Sequence, residues 1–189
     1  MATLKSIIAP FVAALATKEI EIYNEFSLQH ELGFFLRHTF PNLKIQFERN
    51  VNSYFGDKSG FTKKEIDISA FSARNKDLAF AIELKCPRNG QYPEQMFSFC
   101  KDIAFAEELV NAGFPRSAFI VFAEDPLFYK GSGDDIYGLF RGGIPIHGTI
   151  SKPTGGKDVQ VSIRGSYQIE WNTIVDKLKY AIVEVVSDT

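Results

Sequence analysis

The sequence predicts a mixed α/β fold in which a helix, three strands, a second helix and a further strand follow one another. Three observations carry that expectation. Apolar residues recur at helical spacing over about residues 24–38; two β-rich runs flank a polar break between 64 and 85; and a short continuous apolar run stands at 118–123. At 189 residues and 45% hydrophobic, the chain can bury one sizeable core, so a single domain over 1–189 is the default. The core is expected to cover about 20–123, with a β-rich extension and helix over 124–189.

Before the core, Ile7, Ile8, Phe11, Val12 and Leu15 recur at helical spacing and predict an amphipathic first helix. With Ser6 near the cap, Pro10 falls in the opening turn, where proline does least harm. The same stretch, ending Ala14-Leu15-Ala16, also resembles a short signal-peptide core with an A-x-A end. Asn24 is a good N-cap for the next helix, whose Leu28, Leu32, Phe35 and Leu36 form a core-facing stripe. Residues 43–51 alternate apolar and polar as a strand does, and a loop over 54–60 leads on to the β-rich runs. Cys86-Pro87-Arg88-Asn89-Gly90 is a breaker cluster, after which helix signals run from Pro93 to about Asn111, closed by Gly113. The run 118–123 reads as a buried strand.

Beyond Glu124, the segments 125–126, 130–135 and 141–143 read as loops. Runs at 144–150 and 159–164 flank a turn over 152–157 and predict a second hairpin. Ile174, Val175, Leu178, Ala181, Ile182 and Val185 fall on a helical stripe, so a helix over about 172–186 is expected to close the fold.

The two central runs carry the chemistry. In the second, Leu78, Phe80, Ile82 and Leu84 share one face, and Ala79, Ala81, Glu83 and Lys85 the other; in the first, Glu65, Asp67 and Ser69 oppose Ile66 and Ile68. A hairpin centred on Asn75, a residue tolerant of left-handed backbone, sets position 67 opposite position 83. Opposed Cβ atoms lie about 4.5–5.5 Å apart, and like charges there destabilise. Two facing carboxylates beside small Ala79 and Ala81 need a partner. A hard divalent cation, bound through carboxylate oxygens and water, is the most economical one. The competing reading is a solvated Glu83/Lys85 pair on an edge strand with Asp67 exposed. Glu31 is a second oddity, a carboxylate between Leu28 and Phe35 that is costly to bury unpaired. Either it reaches water at the boundary or it serves a site; Glu25, one and a half turns earlier, is the alternative.

Asp67, a gap, and Glu83-Leu84-Lys85 resemble the signature of the PD-(D/E)XK nuclease superfamily, with Ile66-Asp67 standing for Pro-Asp. The resemblance spans about residues 20–123. It implies a restriction-endonuclease-like αβββαβ core, a mixed central sheet flanked by helices, here with an extra C-terminal β-hairpin and terminal helix. It further implies that Asp67 and Glu83 bind Mg²⁺, with Mn²⁺ as a substitute, and that Lys85 orients or activates the attacking water. A helix carboxylate, matched by Glu31, would add a metal ligand. Gln95-Met96-Phe97-Ser98-Phe99 is similar to the Gln-x-x-x-Tyr element of one branch, with Phe for Tyr, which makes Gln95 an auxiliary candidate.

On this reading the chain is a metal-dependent nuclease acting on phosphodiester bonds, in DNA first of all. The other classes are a catalytically silent nuclease-fold binder of nucleic acid and a non-enzymatic interaction domain with Tyr54, Phe55, Tyr129 and Tyr137 exposed. A formal charge of −2 is not the basic footprint of a non-specific nucleic-acid binder. Loop cations near the motif supply local candidates for phosphate contact: Lys63, Lys64, Arg74, Lys76 and Arg88, with Arg141, Lys152, Lys157 and Arg164 as a second set. His30, His38 and His147 are too scattered for a zinc motif, and no phosphate-cradling G-x-x-x-x-G-K-[ST] loop is present. Cys86 and Cys100 make no disulfide or metal pattern, which suits reduced thiols in a cytoplasmic protein. No stretch reaches the roughly 18–20 apolar residues that span a bilayer, so no membrane partner is expected. A homodimer is left open.

Overall fold

Helix α1 (Leu4–Ala16) opens the computed structural model, which describes residues 3–57, 60–88, 90–155 and 158–187. Thr3 caps α1 by accepting from the Ser6 N–H. The helix therefore begins earlier than the apolar stripe suggests, and Pro10 lies inside it rather than in its first turn. Asn24 and Ser27 form a reciprocal capping box at the start of α2 (Glu25–Thr39). Leu28, Leu32 and Leu36 of α2 are fully buried, each contributing about 1.5–3 kcal/mol of hydrophobic transfer.

The strands β1 (Leu43–Asn50), β2 (Glu65–Ser72) and β3 (Leu78–Lys85) form an antiparallel meander. Within the loop after β1, residues Asn52–Phe55 make a one-turn helix, α3. Helix α4 (Tyr92–Ala112) then crosses back so that β4 (Arg116–Ala123) lies parallel to β3. Apart from the one-turn α3, helix, three strands, helix, strand is thus the order of α2 to β4. Gly33 lets α2 approach β1 closely, because a Cβ there would run into the Phe47 ring.

The C-terminal part departs from the sequence reading in two places. Asp135–Arg141 forms a short helix, α5, joining the two segments read as loops at 130–135 and 141–143. Residues 172–186 form no helix: β7 (Asn172–Val175) and β8 (Leu178–Val186) make a hairpin, turned at Asp176 with φ +49°. The six-stranded mixed sheet runs β1-β2-β3-β4-β8-β7, with β8 antiparallel to β4. Tyr-Ala-Ile-Val-Glu-Val-Val at 180–186 is rich in β-branched and aromatic residues, and a strand covered on both faces takes such a continuous apolar run. The Glu184 carboxylate accepts from the Leu4 N–H at 2.9 Å and pairs with Arg116 at 3.2 Å, tying α1 to β8 and β4. The expected second hairpin is β5 (Ile146–Ser151) and β6 (Gln160–Tyr167), a separate two-stranded sheet. Gly156 and Lys157 of its turn lie outside the described residues.

The sheet is covered on both faces. Leu4, Ile8, Phe11 and the α2 leucines meet Ile68, Phe80, Ile82 and Ile120 on one side. On the other, Met96, Phe99 and Ile103 of α4 meet Phe119, Val121 and Val183, with Val161 and Ile163 of β6 outside them. A third cluster of Val51, Ile66, Ala81, Phe105 and Phe114 packs beside the start of β2. Among the described residues, no helix is long and apolar enough to cross a membrane.

Candidate functional site

The β2–β3 hairpin has the register that centring on Asn75 requires. Ile68 pairs with Ile82, Ser69 with Ala81 and Ala70 with Phe80. A bulge between Ala70 and Phe71 then sets Phe71 opposite Leu78. The bulge breaks the strict alternation of β3 near the turn, so Leu78 joins the cluster of Ala81 while Ala79 packs with Phe80. The left-handed residue of the turn is Lys76, φ +62°, rather than Asn75.

Asp67 and Glu83 stand one step beyond the Ile68–Ile82 pair, where β2 and β3 begin to part. Each acid satisfies the other strand's backbone. Asp67 Oδ2 accepts from the Leu84 N–H at 2.7 Å, and Glu83 Oε1 accepts from the Asp67 N–H at 3.3 Å. From α2, Gln29 donates to the Asp67 carbonyl at 2.8 Å. The two side chains are thereby fixed on a common site instead of diverging into solvent.

Two lysines and two helix carboxylates complete the cluster. Lys63, just ahead of β2, places its ammonium against Glu83 Oε2, 2.9 Å from Asp102 Oδ1 of α4 and 4.0 Å from Asp67 Oδ1. Lys85 lies 3.5 Å from Asp102 Oδ2 and 3.3 Å from Glu25 Oε1. Glu25 also accepts from the Cys86 N–H at 3.2 Å. The helix acid that α2 contributes is therefore Glu25, whose place at the first turn meets the end of β3. Glu31 is half-buried on the surface of α2 and makes no hydrogen bond or ion pair with the described residues. The boundary reading of Glu31, a carboxylate reaching water, is the one its surroundings match.

Burial sets the electrostatics. Glu83 is fully buried, and desolvation, with Asp67 adding repulsion, pushes its carboxyl well above the usual range against the pull of Lys63. Desolvation likewise pushes Asp67 up to about 6, opposed by Lys63 and by the Leu84 N–H. For both lysines burial favours the neutral form, but the carboxylates outweigh it. Glu83, Asp102 and Asp67 hold Lys63 charged, and Asp102 with Glu25 does the same for Lys85. Asp102 itself is 2% exposed, and its Oδ2 accepts no hydrogen bond from the described residues.

Other candidates lie elsewhere. Arg74 and Lys76 occupy the hairpin turn, at the opposite end from Asp67 and Glu83, on the order of 15–20 Å away along the strands. Lys64 is exposed at the entrance to β2. Arg88 is engaged by Glu124 at 2.8 Å and by the Ile22 carbonyl at 3.0 Å. Gln95 sits half-buried in the first turn of α4, ahead of Asp102 on the same helix. Arg141 stacks on Tyr137 and donates to the Leu127 carbonyl. Burial raises the thiol of Cys86, and that of Cys100 up to about 12, so neither is an activated nucleophile.

The sequence motif missed Asp102 and took Lys63 for a phosphate contact. A signal for Asp102 was available: an acid inside Phe99-Cys100-Lys101-Asp102-Ile103-Ala104-Phe105-Ala106, the same anomaly that drew attention to Glu31.

Among the described residues, no three His, Cys, Asp or Glu side chains are arranged as a ready-made metal shell. The donor chemistry nevertheless suits a hard cation. Asp67, Glu83 and Asp102 offer only carboxylate oxygens, one Asp102 oxygen lacks a hydrogen-bond donor, and the Lys63 ammonium already lodges a positive charge among them. No protein-family model, no curated protein and no solved structure matches the chain.

Proposed function

We propose that this chain is a metal-dependent nuclease of the PD-(D/E)XK type, hydrolysing phosphodiester bonds in DNA on a restriction-endonuclease-like core. One observation carries the reading: Asp67, Glu83 and Lys85 lie together where two strands part, with their charges held by named partners rather than dispersed in solvent. A solvated surface pair would not leave Glu83 fully buried.

Asp67 and Glu83 are the residues that would hold Mg²⁺, or Mn²⁺ in its place. Bound there, the ion would supply an acidified water and a countercharge to the reacting phosphate. The protein's own part is positioning. The Leu84 N–H fixes one Asp67 oxygen and leaves the other turned toward Lys63, while Gln29 holds the strand beneath it. Lys85 sits beside Asp102 and Glu25 and stays protonated there, so it orients the attacking water and offsets charge developing on phosphate rather than acting as a base. Lys64, exposed at the entrance to β2 and next in sequence to Lys63, is kept as a candidate phosphate contact.

Incubation with plasmid, linear and single-stranded DNA and with RNA, in Mg²⁺, Mn²⁺ or EDTA, tests the reading. Metal-dependent cleavage lost in Glu83→Ala and in Lys85→Ala supports it. Binding in Ca²⁺ without cleavage in any metal assigns a binding role instead.

A further inference from the structure

We propose that Asp102 of α4 is the third carboxylate of the metal site, that Lys63 is the site's resident cation, and that a divalent ion enters by displacing the Lys63 ammonium. The inference rests on reading Asp67 and Glu83 as metal ligands; the roles of Asp102 and Lys63 go beyond it.

The Lys63 ammonium touches oxygens of all three acids: Glu83, Asp102 at 2.9 Å and Asp67 at 4.0 Å. A single positive centre reached by three carboxylates from β2, β3 and α4 stands where a hard cation gains most. Charge balance points the same way. Four carboxylates, Asp67, Glu83, Asp102 and Glu25, facing the ammoniums of Lys63 and Lys85 leave two negative charges over; a divalent ion in place of the Lys63 ammonium leaves one. Asp102 is 2% exposed; its Oδ1 faces the Lys63 ammonium, while its Oδ2 has the Lys85 ammonium at 3.5 Å and no hydrogen bond among the described residues. A buried oxygen of that kind is costly unless something else binds it.

The surroundings allow the ammonium to leave while the backbone stays. On one side of Lys63, Thr62 binds Glu108 of α4 through its N–H at 2.7 Å and through its hydroxyl. On the other, the Lys64 carbonyl accepts from the Val51 N–H at 2.9 Å. Phe61 stacks on Phe55 and meets Phe105 edge-on. Between these anchors the Lys63 side chain is 27% exposed, so its flexible four-carbon stem has a route to solvent. Motion of one side chain exchanges one cation for another.

Calorimetric titration of the 189-residue protein with Mn²⁺, without nucleic acid, tests the assignment. Lys63→Met is expected to bind Mn²⁺ at least tenfold more tightly than wild type, and Lys63→Met/Asp102→Asn to lose that gain. Equal affinities of wild type and Lys63→Met, with binding still abolished by Glu83→Gln, would overturn the inference and leave the metal site standing. Absence of Mn²⁺ binding in every variant would overturn the metal reading itself. Should Lys63→Met fail to fold, wild type answers alone. Acetylation of Lys63 by a hydroxysuccinimide ester, followed by peptide mass spectrometry, is expected to quicken severalfold with saturating Mn²⁺. An unchanged rate while Mn²⁺ binds contradicts displacement.

Discussion

Helix α4 carries two buried carboxylates, Asp102 and Glu107, whose partners differ in kind. Glu107 accepts from the Gly165 N–H at 2.7 Å, the Arg164 N–H at 2.9 Å and the Tyr167 hydroxyl at 2.9 Å. All three donors belong to β6, so this acid clamps the small second sheet onto the helix. Among the described residues Asp102, less exposed still, receives only ammonium groups at the ends of long side chains, and one of its oxygens has no hydrogen bond. If Asp102 serves the proposed site, burial alone does not separate a structural acid from a working one. The mobility of the donors does: backbone N–H groups cannot leave, and lysine side chains can.

The contrast can be broken by activity first. Glu83→Ala and Lys85→Ala should each lower Mg²⁺-dependent plasmid cleavage on the order of 10³-fold, while Glu107→Gln should leave the rate per folded molecule unchanged. An equal loss in Glu107→Gln would erase the distinction. Stability should respond in the opposite sense. Glu107→Ala strands two strand N–H groups and a hydroxyl, and should cost about 3 kcal/mol in urea unfolding.

The third expectation concerns pH. The Asp67 carboxyl has a folded pKa of about 6 against an ordinary 3.8, so between those values the folded state binds the proton more tightly than the unfolded one. Ionised Asp67 accordingly costs stability above pH 6, and the cost fades as pH falls toward 4. Asp67→Asn keeps an acceptor for the Leu84 N–H. It should raise metal-free stability by about 2 kcal/mol at pH 7, with the gain gone near pH 4, as read by thermal melts across that window. The smallest effect is expected at the clamp: Tyr167→Phe should cost about 1 kcal/mol and leave the pH profile of the melts as in wild type.

The hairpin was legible because period-two alternation and the centring on Asn75 are local properties, and they set Asp67 and Glu83 in register. Side-chain alternation near the turn was not legible, since the bulge after Ala70 shifts one strand against the other. Helical spacing on α2 offered both Glu25 and Glu31; only the docking of the helix N-terminus on the end of β3 separates them. Asp102 and Lys63 meet the motif through the crossover of α4 and the loop before β2, contacts that no local pattern encodes. The segment 172–186 misled because Ile174, Leu178, Ala181, Ile182 and Val185 satisfy a helical stripe, while β8 is in fact an interior strand with both faces covered. Its Asp176-Lys177 turn and β-branched run carried the competing signal.

The place of β8 between β4 and β7 has a consequence for how the protein is made. While a ribosome is still extending the chain, β3 and β4 can join as soon as α4 and β4 have emerged, but one flank of β4 stays bare until Leu178–Val186 is available. That flank belongs to Phe119-Ile120-Val121-Phe122, a run buried throughout in the finished fold. A nascent chain thus displays a sticky, unpaired strand during synthesis of the intervening residues, inviting capture by a holdase or pairing with a neighbour on the same messenger.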